Sequence, residues 1–131
     1  MDPIRVLLAD DHELVRAGIR SLLEKISGVE IVGEVDDGQE AIRLVEKLEP
    51  DLVLTDIAMP GLNGLEVTRQ LKRTFPRVRV VILSMYSGDE HVYLALRAGA
   101  AGYLLKGAAR EELRLAIQAE REATHILVRQ F

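Results

Sequence analysis

The chain has 131 residues, with 17 Lys plus Arg against 21 Asp plus Glu for a formal net charge of −4, and its 48% hydrophobic and 29% charged residues are those of an ordinary globular domain. It contains no cysteine, which excludes disulfides, thiolate metal sites and a cysteine nucleophile. No apolar run approaches the roughly 18 residues of a membrane span, no secretory pattern opens the sequence, and the acidic balance argues against this chain alone gripping a nucleic-acid backbone, so a cytoplasmic address is the expectation.

Five short apolar runs alternate with five stretches of helical period. The first run, residues 4–9, is followed by Val15, Ile19, Leu22, Leu23 and Ile26 on one helix face, with Gly28 as the stop. The second, residues 30–35, precedes a helix opened by Asp37 with Glu40 three residues on, lined by Ala41, Leu44, Val45 and Leu48, and stopped by Pro50. Asp36 and Asp37 both read as caps. Residues 52–55 lead to a helix opened by Asn63 with Glu66, carrying Leu65, Leu71 and Phe75 up to Pro76. Residues 80–83 lead to one opened by Ser87 with Glu90, carrying Val92, Ala95, Leu96 and Gly99. Residues 102–105 lead to Leu113, Ala116 and Ile117, while Tyr93, Leu94 and Leu115 fall off these stripes as exposed apolar side chains.

The runs are mostly apolar, without polar alternation, as strands buried on both faces are. Five such βα units predict an α/β fold: a single doubly wound five-stranded parallel sheet in the order 2-1-3-4-5, the flavodoxin-like (βα)5 arrangement. Residues 1–122 would form this domain. The apolar tail, residues 123–131, would extend the last helix or begin a linker.

Ligands in such sheets bind beyond the carboxyl ends of the strands, where the strand order reverses. The polar residues there are Asp10 and Asp11 after the first run, Asp56 after the third, Ser84 after the fourth and Lys106 after the fifth. Taken singly, Asp10 reads as a helix cap, Asp56 and Ser84 as turn residues and Lys106 as a solvated surface lysine. Their coincidence at four neighbouring strand ends favours a site. Three crowded carboxylates with one ammonium call for a divalent cation, and an oxygen-only donor set suits Mg²⁺, or Mn²⁺. A carboxylate beside such an ion and a lysine can accept a phosphoryl group, and no Gly-rich phosphate loop is present to demand a nucleotide donor. His12, beside the acids, is a lone histidine, more often a bystander than a ligand; His91 and His125 carry no motif.

At these residues the chain resembles a known family. Asp10-Asp11, the stretch from Asp56 through Met59-Pro60-Gly61 to Gly64, Leu83-Ser84 and Gly102-Tyr103-Leu104-Leu105-Lys106 resemble the receiver domain of bacterial two-component response regulators, over about residues 3–122. Leu83-Ser84-Met85 and the stretch from Ala98 to Lys106 are most similar to the NarL/FixJ branch, whose members carry a LuxR-type helix-turn-helix. The resemblance implies that Asp56 is the phosphoacceptor, charged by a sensor histidine kinase or a small phosphodonor. It implies Asp10, Asp11, Asp56 and the backbone carbonyl of Ala58 as Mg²⁺ ligands, Lys106 and Ser84 as phosphoryl-binding groups, and Ser84 with Tyr103 as the switch pair. Tyr103 alone also reads as a half-buried strand aromatic with its hydroxyl in water. The expected output or homodimer surface is helix four, strand five and helix five, or the face of helices one and five. The chain would act as a switch rather than an enzyme, controlling a DNA-binding transcription regulator or standing alone and binding a partner protein.

Gly107 departs from the family, which often has proline or an acidic residue there. Small Ala58 would admit water to the site whereas bulky Tyr86 would restrict it, so the lifetime of a phosphorylated state stays open. A haloacid dehalogenase-type phosphohydrolase would need an acid two residues after its nucleophile, and Ala58 stands there. A flavin-binding or docking module of the same fold would leave the three acids without a purpose.

Overall fold

The computed structural model describes residues 2–86, 88–122 and 127–128. Five strands, β1 (Ile4–Ala9), β2 (Val29–Val35), β3 (Leu52–Asp56), β4 (Arg79–Ser84) and β5 (Gly102–Leu105), alternate with five helices, α1 (Glu13–Glu24), α2 (Gly38–Leu48), α3 (Gly64–Thr74), α4 (Asp89–Ala98) and α5 (Ala109–Arg121). A two-residue strand, β6 (Leu127–Val128), follows. All pairings are parallel, in the order β2-β1-β3-β4-β5-β6.

The expected order 2-1-3-4-5 therefore holds, with a sixth strand added at the β5 edge. Within the tail read as a helix extension or the start of a linker, Leu127 and Val128 pair with Gly102 and Tyr103. Two residues carry no readable period, and what favours the pairing is the unpaired backbone of the β5 edge. Residues 123–126 and 129–131 of that tail lie outside the described residues.

β1 illustrates why its run is apolar at every position but Arg5. Val6 and Leu8 pack with Ile19 and Leu23 of α1 and Leu113 and Ile117 of α5, whereas Leu7 and Ala9 pack with Ala41 and Val45 of α2 and Val67 and Leu71 of α3. Burial of a side chain of this size contributes about 1.5–3 kcal/mol, so both faces of the central strands anchor the sheet. A smaller third cluster, Ile82, Ala95, Ala100 and Tyr103, fastens α4. Only Ala95 and Ala98 of α4 are fully buried, and this narrow edge leaves Leu96, expected in the core, 38% exposed. Tyr93 and Leu94 are exposed as expected, while Leu115 is half-buried.

The helix starts follow local hydrogen bonding. Asp37 accepts the Glu40 N–H at 2.8 Å, and Asn63 and Glu66 exchange reciprocal bonds of 2.9 and 3.0 Å. Of the two acids read as caps, only Asp37 caps; Asp36 is exposed. α4 begins after Gly88 with no side-chain cap, and Ser87, expected in that role, lies outside the described residues. Gly99 ends α4 at φ 105°, a left-handed conformation that needs glycine.

Candidate functional site

Register brings the polar strand ends level. Ala9 pairs with Thr55, Asp56 with Leu83, and Ser84 with Leu105, so Asp10, Asp56, Ser84 and Lys106 emerge side by side. Asp10 is fully buried and its Oδ1 accepts the His12 N–H at 2.8 Å, turning the chain from β1 into α1. Arg16 donates to the Asp10 carbonyl at 2.6 Å, which fastens the first turn of α1 to the same corner. Asp56, the last residue of β3, is 6% exposed. Its carbonyl accepts from Thr55 Oγ1 at 3.0 Å and lies against Gly64, where a Cβ would stand 2.2 Å from that oxygen. The capped start of α3 is thereby held directly against the acidic residue.

Lys106 opens a 3-10 turn, Lys106–Ala108, and reaches back beneath the acids. Its Nζ lies 2.8 Å from Asp10 Oδ2 and 3.1 Å from Asp56 Oδ2. Burial alone would lower the ammonium's pKa; its bonds to Asp10 and Asp56 outweigh that and raise it above the usual lysine value. One buried cation thus faces two buried carboxylates, with Asp11 adding a third, more exposed one. The donor oxygens of Asp10, Asp11 and Asp56, together with a His12 nitrogen, lie within 4.8 Å of one another. Such a carboxylate set fits a hard dication of the Mg²⁺ or Mn²⁺ kind, which takes oxygen ligands and keeps some of its water. Ala58, named for its carbonyl, is exposed two residues beyond Asp56.

Ser84 is buried at the end of β4, but its Oγ accepts the Tyr86 N–H at 3.0 Å. Tyr103 is fully buried and its hydroxyl donates to the Tyr86 carbonyl, which rules out the half-buried tyrosine with its hydroxyl in water. Burial raises the Tyr103 phenol's pKa, with the Ser84 hydrogen bond opposing and the Asp56 charge adding to it. His12, weighed in the sequence as more often a bystander than a ligand, stands with its Nδ1 3.3 Å from Asp11, 3.4 Å from Asp10 and 3.8 Å from Asp56. Its position next to the acidic pair was the available signal. A cavity of about 610 Å³, lined by Thr68, Lys72, Arg77, Arg79 and Leu96 among others, lies at the opposite end of the sheet and shares none of these residues.

The model of the response regulator receiver domain matches residues 6–118. The response regulator GacA of Pseudomonas aeruginosa is 45% identical over 115 residues, 88% of this chain and 54% of that protein. UvrY of Escherichia coli is 46% identical over 115 residues, 88% of this chain and 53% of its own. The chain thus spans about half the length of these curated relatives. Among solved structures, a LuxR-family two-component response regulator from Aurantimonas sp. SI85-9A1 superposes with a TM-score of 0.89 at 36% identity, covering 96% of this chain and 90% of that one. The signal receiver domain of the putative response regulator NarL from Mycobacterium tuberculosis superposes with a TM-score of 0.85 at 36% identity, covering 92% of this chain and 98% of that one. Family model, relatives and fold agree: the chain belongs to the response regulator receiver domain family, in its LuxR-type (NarL/FixJ) branch.

Proposed function

We propose that Asp56 is the phosphoacceptor of this receiver, residues 1–122 being the signalling unit. The observation that carries the reading is the meeting of Asp56 with Asp10, Asp11 and the Lys106 ammonium, which lies 3.1 Å from Asp56 and 2.8 Å from Asp10. A carboxylate oxygen of Asp56 attacks the phosphorus in line, and the bond from phosphorus to the donor's leaving group breaks. The donor is a phosphohistidine on a sensor histidine kinase or a small acyl phosphate. Asp10, Asp11, Asp56 and the Ala58 carbonyl would hold Mg²⁺, which neutralises charge on the transferring oxygens. Lys106 balances a further phosphoryl oxygen, and Ser84 hydrogen-bonds another. Ser84 and Tyr103 then pass the change to α4, β5 and α5, or the α1 and α5 face serves as the contact surface. The full-length protein would be a DNA-binding transcription regulator, the chain itself contributing control and pairing rather than nucleic-acid contacts.

Intact mass after incubation with Mg²⁺ and acetyl phosphate tests this. Wild type gains one phosphoryl mass, whereas Asp56→Asn gains none and omission of Mg²⁺ suppresses the gain. No gain across several acyl phosphates and phosphoramidate, or an equal gain in Asp56→Asn, overturns the assignment.

A further inference from the structure

His12 sits at the N-cap of α1 with its N–H bonded to Asp10 Oδ1 at 2.8 Å and its carbonyl accepting the Arg16 N–H at 2.9 Å. The backbone that carries the imidazole is therefore fixed to the acidic corner, although the side chain is 62% exposed. Its Nδ1 stands 3.3, 3.4 and 3.8 Å from oxygens of Asp11, Asp10 and Asp56. Dications such as Zn²⁺ bind imidazole nitrogen at about 2.0–2.1 Å and carboxylate oxygen at about 2.0–2.2 Å, which at tetrahedral angles separates neighbouring donors by about 3.4 Å. The spacing of Nδ1 from the two nearer oxygens matches that edge.

We infer that His12 supplies a nitrogen ligand to the acidic site and tunes it toward imidazole-binding dications, with Co²⁺ and Zn²⁺ held in preference to Mg²⁺. The inference rests on the acidic cluster being a metal site. Mg²⁺ is hard, favours oxygen and retains water, so it gains little from an imidazole; Co²⁺ and Zn²⁺ gain a bond. An imidazole acting merely as a counter-charge to the three carboxylates would change the affinity of every dication by the same factor. The ratio of affinities separates the two roles, since shared electrostatics cancel in it.

The test uses the full chain as wild type, His12→Gln and Asp11→Asn. Mg²⁺ and Co²⁺ are titrated by calorimetry, and visible absorption follows the Co²⁺ ligand field. Wild type is expected to develop Co²⁺ bands that weaken in both variants. His12→Gln is expected to lose about tenfold or more in Co²⁺ affinity but less than about threefold in Mg²⁺ affinity. Equal changes for both ions overturn the inference, as does a Co²⁺ spectrum unchanged in both variants, which would place the ion at His91 or His125. Mg²⁺ binding that disappears in Asp11→Asn, beside Co²⁺ binding indifferent to His12, sinks the inference alone. Failure of wild type to bind either ion sinks it together with the metal site.

Discussion

Lys106 holds its ammonium between Asp10 and Asp56 while its side chain is only 6% exposed, so its charge is both needed and costly there. Its folded pKa lies above the ordinary 10.5. An amine raised in this way lends stability that is complete below its unfolded pKa and is lost as pH rises through the folded one. Lys106→Gln is therefore expected to lower stability by about 3 kcal/mol, by an amount constant between about pH 6 and 9, in urea melts with EDTA present. Asp56→Asn acts the other way. It leaves the Asp10–Lys106 pair in balance and raises the melting temperature in EDTA by about 4 °C, the equivalent of about 1 kcal/mol. A drop instead would show that the lysine needs both acids. Asp10, Asp11, Asp56 and Lys106 were legible in the sequence because the parallel strands bring their carboxyl ends level. For His12 the sequence showed the neighbourhood but not the approach, which depends on the turn that Asp10 Oδ1 makes with its N–H, and no periodicity encodes that turn.

Among the elements, the start of α3 bears most directly on the site. Gly64 N–H donates to the Ile57 carbonyl at 2.8 Å, and a Cβ at Gly64 would stand 2.2 Å from the Asp56 carbonyl oxygen. Gly64→Ala must displace either α3 or the peptide that carries the acceptor, and is expected to cost about 2 kcal/mol. Gly18, inside α1, has nothing within 4 Å of an added Cβ, so Gly18→Ala is expected to stabilise by about 0.5–1 kcal/mol through helix propensity. Urea melts of the two variants should move in opposite directions, and shifts of the same sign would contradict the packing account of Gly64. Strands, helix phases and the Asp37 and Asn63 caps could be read from spacing because each is a local pattern. The narrow buried edge of α4 could not, since two alanines suffice to seat it and Leu96 is left half outside. β6 was equally invisible, being defined by what β5 lacks rather than by its own residues.

At the scale of the molecule, the two large clusters clamp α1, α2, α3 and α5 to the sheet, whereas α4 rests on the smaller cluster that includes Tyr103. Elements with few buried apolar contacts open at low free energy, so α4 is the element a neighbouring charge moves most readily. Tyr86 connects it to the site. Its N–H donates to Ser84, its carbonyl accepts from Tyr103, and its ring stacks on His91 of α4 with centroids 4.9 Å apart. A phosphoryl group on Asp56 would bring roughly −1.5 to −2 charge and fresh acceptor oxygens within reach of Ser84, altering the tie at its source. Tyr103→Phe keeps the ring in the core but deletes the bond to Tyr86, at a cost of about 1 kcal/mol. With Mg²⁺ and beryllofluoride as phosphoryl mimic, hydrogen exchange in wild type is expected to change both around Asp56 and along α4. In Tyr103→Phe the change around Asp56 should persist while that along α4 shrinks, because the ligand still binds and only its transmission is weakened. Full retention of the α4 response would assign transmission to Ser84 and the His91 stack and remove Tyr103 from the path.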